Sequence, residues 1–272
     1  MAETMSIEDE FAEPDEAPPA TPAATIVIFR HDPVGGSPQL LMVERSASMN
    51  FAGGAAVFPG GRVDDADRAL AATLLPAEAD EEALADCAAR VAAVRETIEE
   101  TGLVVGIDAA VSHDEALAAR DLLCSQGALA PVLERHGWKL ALDRLTYFAR
   151  WRPKHRHLRI FDTRFFLADL GTGAVELLVD ATENTHLFWA SADEALRLAD
   201  TGKIKIIFPT RRNLERLATF ASFADACAQA EAIPARTITP FLEQRDGQPW
   251  LCIPADAGYP VDGERLDMAA RT

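Results

Sequence analysis

Three glutamates, Glu96, Glu99 and Glu100, lie within a single predicted helical turn in the stretch RVAAVRETIEETG, residues 90–102. Carboxylates spaced in this way repel one another, and acids near the carboxyl end of a helix are disfavoured by the helix dipole. One explanation is an ordinary solvated acidic face. The other is a site for divalent cations, which prefer oxygen ligands and would reverse the repulsion.

The surrounding residues predict a helix over 80–101. Asp80 is suited to the N-cap, and Gly102 is suited to the left-handed position after the last turn. Apolar residues recur every three or four positions and predict the buried stripe of this helix: Leu84, Cys87, Val91, Val94 and Ile98. Arg95 shares a flank with Glu99 and can pair with it across one turn.

Composition restricts the partners of the chain. Asp and Glu outnumber Lys and Arg by 43 to 26, which gives a formal charge of −17. We therefore expect no nucleic-acid partner and no membrane partner, since anionic surfaces require a basic protein surface and no apolar run approaches the length of a membrane span. The four cysteines form no CxxC pair and no signal-peptide pattern is visible, so we expect a cytoplasmic protein.

The chain divides by composition into a tail, a main domain and an extension. Residues 1–24 hold seven acids, four prolines and no Lys or Arg, which predicts a disordered tail. The main domain is expected to span 25–233. The extension, 234–272, is expected to form a hairpin that turns at Asp246-Gly247 and then a flexible tail.

Alternating strand and helix patterns predict an α/β sandwich with a mixed sheet. The predicted strands cover 24–30, 39–45, 54–61, 103–107, 145–151, 161–170 and 186–190. Besides 80–101, the predicted helices cover 113–144 with a break near 124–131, 191–202, and one long segment, 209–232.

The residues around the three glutamates resemble the Nudix box, G-x5-E-x7-R-E-U-x-E-E-x-G-U, where U is aliphatic. Gly61 takes the first glycine, and RETIEETGL supplies the end of the pattern. The resemblance implies the Nudix α-β-α sandwich, with helical insertions here, and a hydrolase of phosphorus-containing anhydrides. It also implies that Glu96, Glu99 and Glu100 bind Mg²⁺ or Mn²⁺ and that Arg95 braces the loop against the helix.

The box departs from this pattern in three ways. Asp67 stands at the first acidic position, Thr97 replaces an aliphatic residue, and 27 residues instead of seven separate Asp67 from Arg95. We expect the insertion, about 68–87, to bulge from the surface as an extra turn and a longer helix start, and the metal site to stay intact.

The preceding segment, LMVERSASMNFAGGAAVFPGG, is similar to the coenzyme A motif of the same superfamily. Arg45, Gly60 and Gly61 fall in register with it, whereas Asn50 replaces its second arginine. Together with the interrupted box, this resembles the peroxisomal-type (acyl-)coenzyme A diphosphatase branch and its bacterial relatives. The resemblance implies that Arg45 and the two glycines contact substrate, although a salt bridge at a strand end would also explain Arg45.

A basic segment runs from Arg150 to Arg164 and carries five Arg, one Lys and two His. An exposed loop that offsets acidic neighbours would explain it. A clamp for a 3′-phosphate or a diphosphate, built from Arg156, Arg159 and Arg164, is the functional alternative, because guanidinium groups match phosphate geometry.

The expected reaction is divalent-metal-dependent hydrolysis of coenzyme A or acyl-coenzyme A to 3′,5′-ADP and (acyl-)4′-phosphopantetheine. Glu99 or Glu183 would accept the proton of the attacking water, and Glu183 could also be a plain loop carboxylate. The alternatives are a nucleoside-diphosphate-X hydrolase acting on ADP-ribose or NADH and, in a different class, a Nudix-fold module that senses a nucleotide without turnover. The expected partner is a small-molecule diphosphate, and the oligomeric state stays open, a homodimer included.

Overall fold

The computed structural model describes residues 19–31, 35–47, 52–154, 160–171 and 184–269. The strands of the main sheet are β1 (Ala20–Arg30), β2 (Gln39–Arg45), β3 (Ala56–Val57), β4 (Gly60–Arg62), β5 (Thr146–Trp151), β6 (Ile160–Asp169), β7 (Asn184–Ala190) and β8 (Thr237–Ile238). A separate antiparallel sheet contains β9 (Phe241–Arg245), β10 (Gln248–Cys252) and β11 (Gly263–Arg265). The helices are α1 (Asp65–Leu74), α2 (Glu81–Thr101), α3 (His113–Gln126), α4 (Leu129–His136), α5 (Ala192–Asp200), α6 (Phe208–Leu217), α7 (Phe223–Ala232) and α8 (Leu266–Ala269).

The main sheet is mixed, and it opens between β1 and β2. These strands pair only near one end, where Phe29 lies opposite Leu40, and β4 and β3 then occupy the opening, β4 against β1 and β3 against β2. The link between β3 and β4 crosses the opening, and Ile26 donates its backbone N–H to Pro59 at 2.9 Å. This crossing places the backbone of β4 beside β1.

Helices cover both faces of the sheet, as an α/β sandwich requires. Side chains alternate along β1, so that Val27 and Phe29 join one buried cluster while Ile26 and Ile28 join the other. Helices α1 to α4 pack on the face of Ile26, and α5 to α7 pack on the face of Val27. Among the described residues, no helix combines the length and apolar character needed to span a membrane.

The predicted helix 80–101 is confirmed as α2. Asp80 is its N-cap and accepts a hydrogen bond from the Ala83 backbone N–H at 2.8 Å, and Gly102 ends the helix in the left-handed region with φ of 70°. The predicted strand 103–107 is wrong. Only Ile107 makes a bridge, to Leu140, because Gly106 adopts a positive φ that interrupts an extended run.

Two helical predictions need correction. The insertion holds a regular helix, α1, instead of an extra turn, because Asp64 and Asp67 form a reciprocal capping box at its start. The predicted long helix 209–232 is two helices, α6 and α7. Ser222 starts the second one by accepting a hydrogen bond from Asp225, which favours a new N-terminus over a continuous helix.

Both ends of the described chain are more ordered than expected. Strand β1 begins at Ala20, inside the expected tail, because residues from Ala20 onward pair with β6. The hairpin at Asp246-Gly247 is confirmed by positive φ values of 52° and 70° at these two residues. After it, β11 and α8 replace the expected flexible tail as far as residue 269, and Leu266 joins the core.

Candidate active site

The last two turns of α2 lie against the glycines of β4. Glu96 packs directly on Gly61, where a Cβ atom would overlap its carboxylate. One oxygen of Glu100, Oε2, accepts a hydrogen bond from the Gly60 backbone N–H at 2.9 Å. A side chain at Gly61 would therefore block the approach of Glu96, whereas a side chain at Gly60 would clash with the β1 backbone at Ala24 and Thr25.

Arg95 joins the three segments that form the site. Its guanidinium donates to the Arg62 carbonyl of β4 at 2.8 Å, to the Asp67 carboxylate of α1 at 3.0 Å, and to Glu99 on its own helix at 2.9 Å. Asp67 is 1% exposed and Arg95 is buried as well. The predicted pair of Arg95 with Glu99 is thus confirmed, and the aspartate at the first acidic position of the box partners the arginine.

Glu100 is held from two sides. The Gly60 N–H binds Oε2, and the Asn184 Nδ2 of β7 donates to Oε1 at 3.3 Å. Helix α2 is fixed at the same point by Arg120 of α3, whose Nε donates to the Glu99 carbonyl at 2.8 Å. Each contact comes from a different element, so the position of this turn depends on the assembled fold.

Burial has the largest effect on the pKa values of the two other carboxylates, Glu96 and Glu99. Desolvation raises the pKa of Glu96 to about 8, with further increases from the charges of Glu100 and Glu99 and an opposing effect of Arg95. Desolvation also raises the pKa of Glu99, again against the effect of Arg95. Together, the three carboxylates carry more negative charge than the single guanidinium of Arg95 balances.

The donor set fits a hard divalent cation. Glu96, Glu99 and Glu100 supply carboxylate oxygens from one helical turn, and burial raises the pKa of Glu96 even though Arg95 lies beside it. Among the described residues, no three His, Cys, Asp or Glu side chains are grouped closely enough to hold a metal ion. Arg95 Nη1 lies 2.9 Å from a carboxylate oxygen of Glu96 and 2.9 Å from one of Glu99.

The predicted substrate residues are placed differently. Arg45, at the end of β2, lies opposite Asn184, the residue that binds Glu100. Arg164 is 3% exposed and donates to Glu82 at 2.7 Å. Glu82 is in the first turn of α2, about 20 Å along the helix from Glu96 at about 1.5 Å per residue. Arg164 therefore contacts the end of α2 opposite to the three glutamates.

Three of the predicted site residues lie outside the described residues: Arg156, Arg159 and Glu183.

Similar solved structures place this geometry in a known fold. A Nudix hydrolase from Alicyclobacillus acidocaldarius matches with a TM-score of 0.65 and 28% identity, over 77% of this chain and 96% of that protein. The chain has the Nudix fold. That likeness supports a hydrolase acting on phosphorus-containing anhydrides. No protein-family model matches the chain.

More distant Nudix structures are also similar. A MutT protein from Methanosarcina mazei Go1 has a TM-score of 0.40 and 14% identity, over 74% of this chain and 94% of that one. The Nudix domain of Shewanella oneidensis NrtR, solved with ADP-ribose, has a TM-score of 0.41 and 13% identity, over 73% and 86%. At TM-scores this low, neither protein indicates the substrate of this chain.

Asn184 is the site residue that the sequence did not reveal. Asn184 lies two residues before the predicted strand 186–190, where an asparagine is typical of a turn, and its hydrogen bond to Glu100 spans 84 positions. Within the Nudix fold, the contact arises only because β7 and α2 meet beside β4. The sequence around Asn184 gives no local sign of this contact, since neither the residue type nor the spacing distinguishes Asn184 from a surface asparagine.

Substituting Gly61 with alanine is expected to displace Glu96, one of the three carboxylates that fit a divalent cation. The added Cβ would overlap the Glu96 carboxylate and force it to move. We expect a weaker Mn²⁺ affinity and a lower thermal midpoint, measured by calorimetric titration and by thermal unfolding. In a Glu96→Ala background, the same Gly61→Ala change should cost little more in stability; an equal cost in both backgrounds would show that Glu96 is not the cause.

Proposed function

We propose that this protein is a divalent-metal-dependent pyrophosphohydrolase whose substrate is coenzyme A or an acyl-coenzyme A. The observation that carries the reaction class is the placement of three glutamates of one α2 turn: Glu96 and Glu100 lie against the Gly60-Gly61 backbone, and Glu99 pairs with Arg95. A binding module without turnover has no need of three unaltered carboxylates in this arrangement.

Glu96, Glu99 and Glu100 would hold Mg²⁺ or Mn²⁺. When bound, such ions neutralise the charge of a diphosphate and lower the pKa of a coordinated water. Arg95 pairs with Glu96 and Glu99 and compensates part of the charge of the cluster before any cation binds. Asp67 in turn holds Arg95 in place from α1.

Glu99 is the proposed proton acceptor for the attacking water. Its side chain is 22% exposed, against 14% for Glu96, and burial raises its pKa above the ordinary value of a glutamate. Glu183, the other residue proposed for this role, lies outside the described residues. The water attacks one phosphorus of the P–O–P bond, the bridging oxygen leaves with the other phosphoryl group, and the proton of the water passes to the carboxylate.

Arg45 supports the choice of a coenzyme A substrate. It is the arginine of the coenzyme A-like segment, and it lies opposite Asn184 at the end of β2, next to the carboxylate cluster. A guanidinium at this position is suited to a phosphate oxygen of the diphosphate. The Gly60 and Gly61 backbone completes the proposed substrate contacts from β4.

A substrate panel tests this proposal. The intact protein is incubated with Mg²⁺ or Mn²⁺ and coenzyme A, acetyl-coenzyme A, a long-chain acyl-coenzyme A, ADP-ribose or NADH, and products are identified by mass. We expect 3′,5′-ADP and (acyl-)4′-phosphopantetheine from the coenzyme A compounds. Selective turnover of ADP-ribose or NADH would replace the proposed substrate, and no turnover of any diphosphate would contradict the enzyme class.

Cation binding is expected to strengthen as pH rises toward about 8. Glu96 must lose its proton to become a ligand, and its pKa of about 8 means that the carboxyl is mainly protonated at neutral pH. The affinity for Mn²⁺ should therefore rise by up to about tenfold per pH unit below this value. Calorimetric titrations at a series of pH values would measure it, and binding should release a proton.

The stability of the metal-free protein should change in the opposite direction. The folded-state pKa of Glu96 lies above its usual value of 4.5, so the folded protein holds a proton that the unfolded chain has lost. This contribution to stability is present below the unfolded pKa and disappears as pH rises through about 8. Glu96→Gln removes both effects, and an unchanged pH dependence of Mn²⁺ binding in this variant would contradict the assignment.

A further inference from the structure

Asn184 is turned inward by a bulge in β7. Glu44 of β2 lies opposite His186, and the next residue, Arg45, lies opposite Asn184, which leaves Thr185 as an extra residue in β7. In a regular strand Asn184 would share the face of His186, which is exposed. Instead, Thr185 and His186 are both exposed and Asn184 is 2% exposed. Such bulges re-aim side chains beside functional sites.

The amide of Asn184 completes the fixation of Glu100. Its Nδ2 donates to Glu100 Oε1 at 3.3 Å, while the Gly60 N–H donates to Oε2 at 2.9 Å. Each carboxylate oxygen thus has a donor from a different strand. The two donors hold the carboxylate in place from both of its oxygens.

The other end of the same amide is unsatisfied within the described part of the chain. Asn184 Oδ1 is buried and has no hydrogen-bond partner there, and the same is true of the Nε atom of Arg45, the residue opposite. A buried carbonyl oxygen without a donor destabilises a fold, so such atoms commonly mark the place of an ordered water or an ion. Asn184 therefore combines a contact to Glu100 with a free oxygen acceptor.

We propose that Asn184 is a positioning residue for cation binding: its amide nitrogen fixes Glu100, and its carbonyl oxygen accepts a hydrogen bond from water carried by the bound ion. This inference rests on the proposed function, since it requires Glu100 to be a ligand. Residues that orient a metal ligand in this way typically change metal affinity by roughly ten- to a hundredfold when they are removed.

The test is the Mn²⁺ dissociation constant of the intact protein, measured by electron paramagnetic resonance of free Mn²⁺. Asn184→Ala is expected to raise it by roughly ten- to a hundredfold. Asn213→Ala is the matched control. Asn213 is 0% exposed, its Nδ2 also has no partner among the described residues, and its Oδ1 accepts from the Tyr259 hydroxyl at 2.7 Å. This control should leave Mn²⁺ binding unchanged while it lowers the thermal midpoint.

A double-mutant cycle separates positioning from general destabilisation. If Asn184 acts through Glu100, then Asn184→Ala should add little to the effect of Glu100→Gln on Mn²⁺ binding. Should the alanine variant fail to fold, Asn184→Leu keeps the side-chain volume and removes both amide functions.

Three outcomes would overturn the inference, and they are distinguishable. If the Asn184 variants bind Mn²⁺ like the unchanged protein, Asn184 is not a positioning residue, and the proposed function is untouched. If the Asn213 control weakens binding equally, the effect is structural. If the unchanged protein takes up no Mn²⁺, the proposed function itself fails.

Discussion

Glu99→Gln and Glu100→Gln are each expected to lower kcat by about a thousandfold, equivalent to about 4 kcal/mol in the activation barrier. Glutamine keeps the size of the side chain and removes the charge that a divalent cation requires. Steady-state hydrolysis of coenzyme A with saturating Mn²⁺ would measure the loss, and circular dichroism would show that the fold is retained.

The control for these variants is Glu81→Gln. Glu81 lies in the first turn of the same helix, and its side chain is 76% exposed. Its replacement should leave kcat within about twofold, since exposed ion pairs contribute little. Full activity in both the Glu99 and Glu100 variants would refute the assignment of these carboxylates as ligands.

Arg95→Met is expected to lower the free energy of unfolding by about 3–5 kcal/mol, the usual cost of removing one partner from a buried ion pair. Asp67 would keep a fully buried charge without its partner, and Glu96 and Glu99 would lose the cation between them. Urea unfolding of the metal-free protein would measure this change. Adding Asp67→Asn to the Arg95→Met variant should recover part of the stability, because it removes the stranded charge.

The matched control for Arg95 is Arg68→Met. Arg68 also pairs with a carboxylate, Glu81, but the two side chains are 43% and 76% exposed, so the loss should stay below about 1 kcal/mol. A cost of similar size for Arg95→Met would show that its buried network does not brace the site.

Local signals were sufficient to predict the helix that carries the site. Its N-cap, its apolar stripe and its terminal glycine all lie within the helix or next to it, so α2 runs within one residue of the predicted limits. The pair of Arg95 and Glu99 was predictable for the same reason, because residues four apart on a helix share a face.

Contacts between distant segments could not be predicted in this way. The bond from Gly60 to Glu100 depends on the opening between β1 and β2, and the bond from Asn184 to Glu100 depends on a one-residue bulge in β7. Neither feature leaves a periodic pattern in the sequence. The strand predicted at 103–107 failed for the related reason that strand formation requires a partner, and only Ile107 has one.

The role of Asp67 also emerged from the fold. In the sequence it stood as a departure from the box, separated from Arg95 by a long insertion. In the structure, α1 brings it back to Arg95 at 3.0 Å, and its second function is to cap α1. Between these two residues the chain forms the rest of α1, a connection and the first turns of α2, and this arrangement brings Asp67 and Arg95 together.

Direct titration of the intact, metal-free protein with Mn²⁺ and Mg²⁺ in a calorimeter addresses the central claim most simply. We expect saturable uptake that strengthens as pH approaches 8 and that is severely weakened in the Glu99→Gln and Glu100→Gln proteins. A flat titration with folded, unchanged protein would mean that the acidic turn of α2 is only a charged surface, and the proposed hydrolysis would have no basis.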